Sequence, residues 1–151
     1  MAAEAGLWVV DASVAFGWFV AVPGSEQAAR LLDGGPSTLL LAPDLVLVEL
    51  LNAGWKSRRL GAITEEQFQA LAHRTAEPFS RLFPSSALLA RAAYWCRELD
   101  HPADDCLDVA LAEQERATLI TADQRLLRKL ETPRPGLPAV MDLAGLSASP
   151  T

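Results

Sequence analysis

The sequence has few cysteines, few basic residues and no long uninterrupted hydrophobic run. Its two cysteines, Cys96 and Cys106, give neither a zinc-binding spacing nor a disulfide framework, so we expect two reduced thiols in a cytoplasmic protein. The first basic residue is Arg30, so we expect no secretory signal, which would begin with positive charge. The apolar stretch of residues 7–22 is short for a membrane span and contains Asp11, so we expect no membrane association.

The charge balance limits how the protein could bind nucleic acid. Acidic residues outnumber Lys and Arg by 19 to 13, for a formal net charge of −6. Broad electrostatic binding is disfavoured because phosphate affinity depends on clustered Lys and Arg. A polyanion would therefore need a local site or a cation supplied from solution. Of the 151 residues, 50% are hydrophobic and 21% are charged, which is typical of a globular protein. The length predicts a single domain over residues 1–151 with a loose tail at about 146–151.

Short apolar runs alternate with helical patterns along the chain. The runs at 7–10 and 118–121 lack alternating polar residues, which is typical of strands covered on both faces. Further strands are predicted at 38–41, 79–83 and 139–141. The order predicts an α/β fold, a three-layer α/β/α sandwich around a mostly parallel sheet of four to five strands. The predicted helices cover residues 12–20, 26–33 after a Ser25 N-cap, 43–60, 64–75 after a Thr64 capping box, 85–99, 103–116 and 124–130.

Four acidic residues occupy positions that suggest chemistry. Asp11 and Asp123 follow the strands at 7–10 and 118–121, at the carboxyl edge of the sheet, where open α/β sheets bind ligands. Glu49 and Asp105 occur in apolar helical segments, and a buried ionised carboxylate requires a partner. A cluster of carboxylates repels itself unless cations enter. Ligands that are all oxygen suit Mg²⁺ or Mn²⁺, so the four acids predict a divalent-cation site.

Each acid also has a structural explanation. Asp11, Asp105 and Asp123 stand near helix starts and could be N-caps, a position that Asp favours. Glu49 could be a satisfied core carboxylate or a carboxylate at a helix edge. All four explanations would have to hold at once for the group to lack a function. The sequence leaves open whether Asp105 or the adjacent Asp104 points inward.

Four segments carry a family resemblance. They are residues 9–14, 42–53, 105–113 and 119–126. In order and spacing they resemble the successive motifs of the PIN domain, from residue 7 to about 143. Within that family the chain is similar to the VapC toxins of bacterial and archaeal toxin–antitoxin pairs. Many relatives carry aromatic residues where this sequence has Asp104 and Asp108, so the surroundings of Asp105 are more acidic here.

The resemblance implies a specific function. The protein would be a cytoplasmic toxin, a Mg²⁺-dependent (or Mn²⁺-dependent) endoribonuclease that forms a homodimer and is neutralised by a small antitoxin. RNA phosphodiester bonds would be hydrolysed by water activated by the cation. The positions that match the family's catalytic and metal-binding residues are Asp11, Glu49, Asp105 and Asp123. The supporting positions are Ser13, Asn52, Thr121 and Asp108.

Two other functions remain open at this stage. The first is a binding or regulatory module that keeps a PIN-like fold without catalysis, although the presence of all four acids argues against the loss of catalytic activity. The second is phosphoryl transfer through an aspartyl-phosphate on Asp11. This mechanism requires a second acid two residues later, where the chain has Ser13. Neither His73 nor His101 falls in a motif that assembles a base, so we expect surface or structural roles for both.

Two further groups of residues are candidates for contacts with partners. Residues 12–22 and the helix at 45–55 are more apolar than one buried face requires, so we expect part of this surface to contact a second copy or the antitoxin. The candidates for contact with the RNA backbone are Lys56, Arg58, Arg59, Arg125, Arg128 and Lys129.

Overall fold

Five parallel strands form a sheet at the centre of the computed structural model, which describes residues 6–146. The strands are β1 (Leu7–Val10), β2 (Leu39–Pro43), β3 (Arg81–Phe83), β4 (Thr118–Thr121) and β5 (Val140–Asp142). Their order across the sheet is β3-β2-β1-β4-β5, which places β1 in the middle. The predicted α/β class and parallel sheet are therefore confirmed. The predicted loose tail lies outside the described residues except for Leu146.

Helices cover both faces of this sheet. They are α1 (Ala12–Ala15), α2 (Ser25–Leu32), α3 (Leu45–Arg59), α4 (Glu65–Ala72), α5 (Leu89–Leu99), α6 (Ala103–Glu115) and α7 (Gln124–Leu130). Residues of α5, α6 and α7 form the core on one face, and residues of α1, α2 and α3 form the core on the other. This is the predicted three-layer sandwich. Within residues 6–146, no helix combines the length and the apolar composition needed to cross a bilayer.

The middle strands have apolar sequences without alternation because both of their faces are buried. Val9 packs into the core beneath α5 and α6, and the adjacent Val10 packs into the core beneath α1 and α3. Leu119 and Ile120 divide in the same way on β4. All four side chains have 0% exposure. Burial on both faces removes any need for polar residues along the strand.

The segment after β1 is shorter as an α-helix than predicted. The α-helix ends at Ala15 and a 3-10 turn (Phe16–Trp18) follows, so the predicted helix to Val20 is wrong in its second half. The predicted N-cap of α2 is also wrong, because Gly24 takes the cap position with φ of 94°. Ser25 is the first helical residue, and its hydroxyl accepts a hydrogen bond from the Val22 amide in the preceding loop.

The predicted capping box of α4 is confirmed, but the end of α4 and the start of α5 differ from the prediction. The capping box is present, since the Gln67 amide donates to Thr64 Oγ1 over 3.0 Å and the Thr64 amide donates to Gln67 Oε1 over 2.8 Å. The helix ends at Ala72 and not near Thr75, because the next amides bond three residues back and tighten the chain into turns. The predicted helix at 85–99 begins as a 3-10 turn (Ser85–Ala87) before α5.

Candidate metal centre

The carboxyl ends of β1 and β4 bring the first two predicted acids together. The strands are neighbours and run parallel, with Val10 opposite Ile120, so both end at the same edge of the sheet. Asp11 and Asp123 line one open cleft of about 380 Å³ at this edge. The expectation that these two side chains face a common cleft is therefore confirmed.

Hydroxyl groups hold the loops after β1 and β4 in place. The Thr121 hydroxyl donates to Asp11 Oδ2 over 2.6 Å and accepts from the Asp123 amide over 3.0 Å. Ser13 Oγ accepts from the Ala122 amide over 3.0 Å and lies 3.4 Å from Thr121 Oγ1. Because the single hydroxyl hydrogen of Thr121 is directed at Asp11, Ser13 is the donor in its contact with Thr121. Ser13 and Thr121 thus position the carboxylate of Asp11.

Asp11 and Asp123 also cap the helices that follow them. Asp11 Oδ1 accepts from the Ser13 amide over 3.3 Å at the start of α1. Asp123 Oδ1 accepts from the Arg125 amide over 2.9 Å at the start of α7. Asp11 and Asp123 are therefore N-caps and also residues of the cleft. For Asp105 the cap explanation is wrong, because Pro102 takes the cap position of α6.

The two adjacent acids in the first turn of α6 differ in burial. Asp105 is half-buried and Asp104 is exposed, and both line the cleft. The Asp105 carboxylate lies 2.6 Å from His101 Nε2, a contact that the sequence pattern does not predict. His101 is only 8% exposed. The pKa of Asp105 is raised to about 6, mainly by burial and secondly by repulsion from Asp11. The hydrogen bond to His101 opposes this shift.

Helix α3 supplies one wall of the cleft. Glu49, Asn52 and Lys56 line this wall from successive turns of the helix. Burial raises the pKa of Glu49 to about 8, with further repulsion from Asp11, Asp104 and Asp105. Asn52 is exposed and lines the same cleft as Glu49.

Asp108 lies one turn further along α6 than Asp105 and is 2% exposed. Burial raises its pKa well above the ordinary value, and repulsion from Asp11, Glu49 and Asp105 adds to the effect. Its Oδ2 atom has no hydrogen-bond partner among the described residues. The resemblance predicts a supporting role for Asp108, and the structure buries this residue behind the cleft.

Two overlapping groups of three residues each place their ligand atoms close enough together to bind one cation. Asp11, Asp105 and Asp108 each offer an oxygen within 4.8 Å of the others. His101, Asp105 and Asp123 form a second such group. Glu49 lines the same cleft without belonging to either group. The four predicted acids therefore surround one cleft, and the most compact groups add His101 and Asp108.

The donor set fits a divalent cation. Among residues 6–146, no Lys or Arg makes an ion pair with any of these acids, and only Asp105 has a histidine partner. The orphaned oxygen of Asp108 and the raised pKa values of Asp11 and Glu49 indicate that the protein compensates the charged forms only in part. Carboxylate oxygens are the ligands that Mg²⁺ and Mn²⁺ prefer.

Two solved structures share this fold. One is the crystal structure of VapBC2 from Rickettsia felis bound to a DNA fragment from their promoter, with a TM-score of 0.62 and 18% identity over 90% of this chain and 98% of that chain. The other is the crystal structure of PAE2754 from Pyrobaculum aerophilum, with a TM-score of 0.63 and 22% identity over 97% of this chain and 90% of that chain. None of the curated proteins matches the chain.

A family model for the PIN domain matches residues 8–131, which is well over half of the chain. The matched region runs from β1 to the end of α7 and contains every residue of the cleft. The protein belongs to the PIN domain family.

Proposed function

We propose that this protein is the toxin of a toxin–antitoxin pair and acts as a divalent-cation-dependent endoribonuclease. The observation that carries the proposal is the cleft itself, where Asp11, Glu49, Asp105 and Asp123 converge without Lys or Arg ion-pair partners among residues 6–146. Membership of the PIN domain family supports nuclease chemistry at this cleft. The likeness to the VapBC2 structure supports the toxin assignment, since the motifs of this chain resemble those of VapC toxins.

The residues of the cleft have distinct roles in the proposed reaction. Asp11, Asp105 and Asp123 would hold Mg²⁺ or Mn²⁺, with Glu49 acting on the same cation directly or through water. A bound divalent cation makes a water molecule a stronger nucleophile and stabilises negative charge on the departing oxygen. Thr121 and Ser13 orient the Asp11 carboxylate through their hydroxyl groups. His101 positions Asp105.

Cleavage of a structured RNA pool tests this proposal. Activity is expected in Mg²⁺, loss in EDTA, and recovery when Mg²⁺ is added back. Asp11→Asn and Asp123→Asn are each expected to abolish cleavage while keeping the N-caps, because Asn caps helices as well as Asp does. Asp33→Asn is the matched control, since Asp33 is exposed beyond α2, at the opposite edge of the sheet. Undiminished cleavage by the two cleft variants would overturn the assignment, and inactivity of the wild type towards RNA would favour a silent binding module.

Basic residues near the cleft are the proposed contacts for RNA. Lys56 lines the cleft on α3, and Arg125 and Arg128 are exposed on α7, which begins beside Asp123. Arg58 is less available because it pairs with Glu65 at 2.9 Å. Lys56→Ala is expected to weaken RNA binding and to reduce the salt dependence of binding, since each phosphate contact contributes to that slope.

An exposed apolar strip on α3 is the proposed partner surface. Val48 is 63% exposed and Trp55 is 40% exposed, and the two lie seven residues apart on one face of the helix, next to the wall of the cleft. We assign this strip to the contact with a second copy or with the antitoxin, in a cytoplasmic complex. Val48→Lys is expected to lower the sedimenting mass of a homodimer or to prevent capture by the antitoxin. Co-expression of the neighbouring small reading frame is expected to relieve growth arrest, and unrelieved arrest would contradict the antitoxin assignment.

A further inference from the structure

The carboxyl group of Asp108 is the feature of the centre that the proposed function leaves unexplained. Its side chain is 2% exposed, and its Oδ2 atom has no hydrogen-bond partner among residues 6–146. A buried carboxyl oxygen without a partner is costly in either protonation state, because it has lost its hydrogen bonds to water and gained none in the protein. No group among residues 6–146 satisfies this oxygen, which points to a ligand that is not one of those residues.

The position of Asp108 on α6 directs it towards the other acids. Asp105 and Asp108 are three residues apart, so they lie on one face of the helix in successive turns. Asp105 lines the cleft, whereas Asp108, one turn further along α6, is buried and does not line it. Asp11 stands at the end of β1 with 3% exposure. The three carboxylates thus approach one another below the mouth of the cleft.

The spacing of these oxygens suits one small cation. One oxygen each from Asp11, Asp105 and Asp108 lies within 4.8 Å of the others. A Mg²⁺, Mn²⁺ or Ca²⁺ ion holds oxygen ligands at about 2.0 to 2.6 Å, so two ligands on the same ion are at most about 5 Å apart. All three carboxylates can therefore contact the same ion with little movement.

We propose that Asp108 is an additional cation ligand, and that it completes with Asp11 and Asp105 an inner subsite of three carboxylates for a hard divalent cation. Glu49 and Asp123, which line the open cleft, are then not part of this subsite. The inference rests on the proposed cation dependence of the centre. With this additional ligand, the chain holds its cation more deeply and more tightly than it would with the four predicted acids alone.

Direct titration of Mn²⁺ tests the inference without reference to activity. Full-length protein is stripped with EDTA and desalted, and free Mn²⁺ is measured by its electron paramagnetic resonance signal. Asp108→Asn is expected to weaken Mn²⁺ binding by at least about tenfold. Asp104→Asn removes the same charge from an exposed acid four residues earlier on α6, and we expect a loss of about threefold or less because solvent screens that charge.

The outcomes separate this inference from the proposed function. Equal affinity of the wild type and Asp108→Asn overturns the role of Asp108 and leaves the cation site intact. Equal losses in Asp108→Asn and Asp104→Asn also overturn it, because the effect would then be one of charge alone. A wild type that binds no Mn²⁺ overturns both proposals. Circular dichroism of the apo variants checks folding, and Asp108→Ala replaces Asp108→Asn in the titration if the latter does not fold.

Discussion

Raising the pH from 5 to 7 without divalent cations is expected to destabilise the folded protein. The pKa values of Asp11, Glu49 and Asp108 are raised, chiefly because burial penalises the charged form. An acid with a raised pKa binds its proton more tightly in the folded state than in the unfolded chain. Its contribution to stability is therefore present below the unfolded pKa and is lost as the pH rises through the folded pKa.

Glu49 supplies one part of this effect, and Asp11, Asp105 and Asp108 add to it. The pKa of Glu49 rises from 4.5 to about 8, so between pH 5 and 7 this residue is protonated in the folded state and ionised in the unfolded chain. One such proton changes the free energy of unfolding by about 1.4 kcal/mol per pH unit, or about 3 kcal/mol over this range. Partial exposure of Glu49 to solvent reduces this to about 1.5 kcal/mol. Asp44 and Glu113 have lowered pKa values and lose their contributions below this range, so they do not change the slope.

Urea unfolding followed by tryptophan fluorescence measures this slope, because the chain has 4 tryptophans. The measurement is made at pH 5, 6 and 7 in EDTA. Glu49→Gln is expected to flatten the slope by the Glu49 share, and Glu66→Gln, at an exposed position on α4, is expected to leave it unchanged. Mn²⁺ added at pH 7 is expected to restore stability, since it compensates the ionised carboxylates. A free energy of unfolding that stays constant or rises between pH 5 and 7 in EDTA would refute the reasoning.

Three substitutions test other contacts by the same urea assay. Thr121→Val removes the hydroxyl that donates to Asp11 and is expected to cost about 1 to 3 kcal/mol; an unchanged midpoint would show that this hydrogen bond adds nothing. Gly54→Ala places a Cβ atom against the Leu71 side chain between α3 and α4 and is expected to cost about 1 to 3 kcal/mol; a stabilised protein would contradict this packing. Thr64→Ala removes one half of the capping box and is expected to cost about 1 kcal/mol; no loss would mean that the start of α4 is held by other contacts.

The sheet and the edge that carries the site could be predicted because they depend on short-range patterns. The strands at 7–10 and 118–121 are bounded as predicted, since an apolar run that ends at a polar residue has few alternatives when both faces are buried. Parallel pairing then places Asp11 and Asp123 at one edge. Nothing beyond strand order is needed for this step.

The parts of the site that were missed depend on how segments meet in space. His101 and Asp105 are four residues apart, which is a helical spacing, but Pro102 between them marks a break that conceals the contact. The burial of Asp108 follows from the packing of α6 on the middle of the sheet, which no local pattern specifies. The end of α1 at Ala15 has the same origin, because the apolar residues that follow would suit a helix or a turn equally well.

The two carboxylates that cap α1 and α7 while facing the cleft restrict how the protein can be inactivated genetically. Replacement by alanine removes a cap as well as a cation ligand, so the product loses stability together with its chemistry. Replacement by asparagine keeps the cap, and a single base change converts an aspartate codon into an asparagine codon. Under the proposed function, selection in growing cells for loss of toxicity would therefore recover folded, harmless alleles at these two codons.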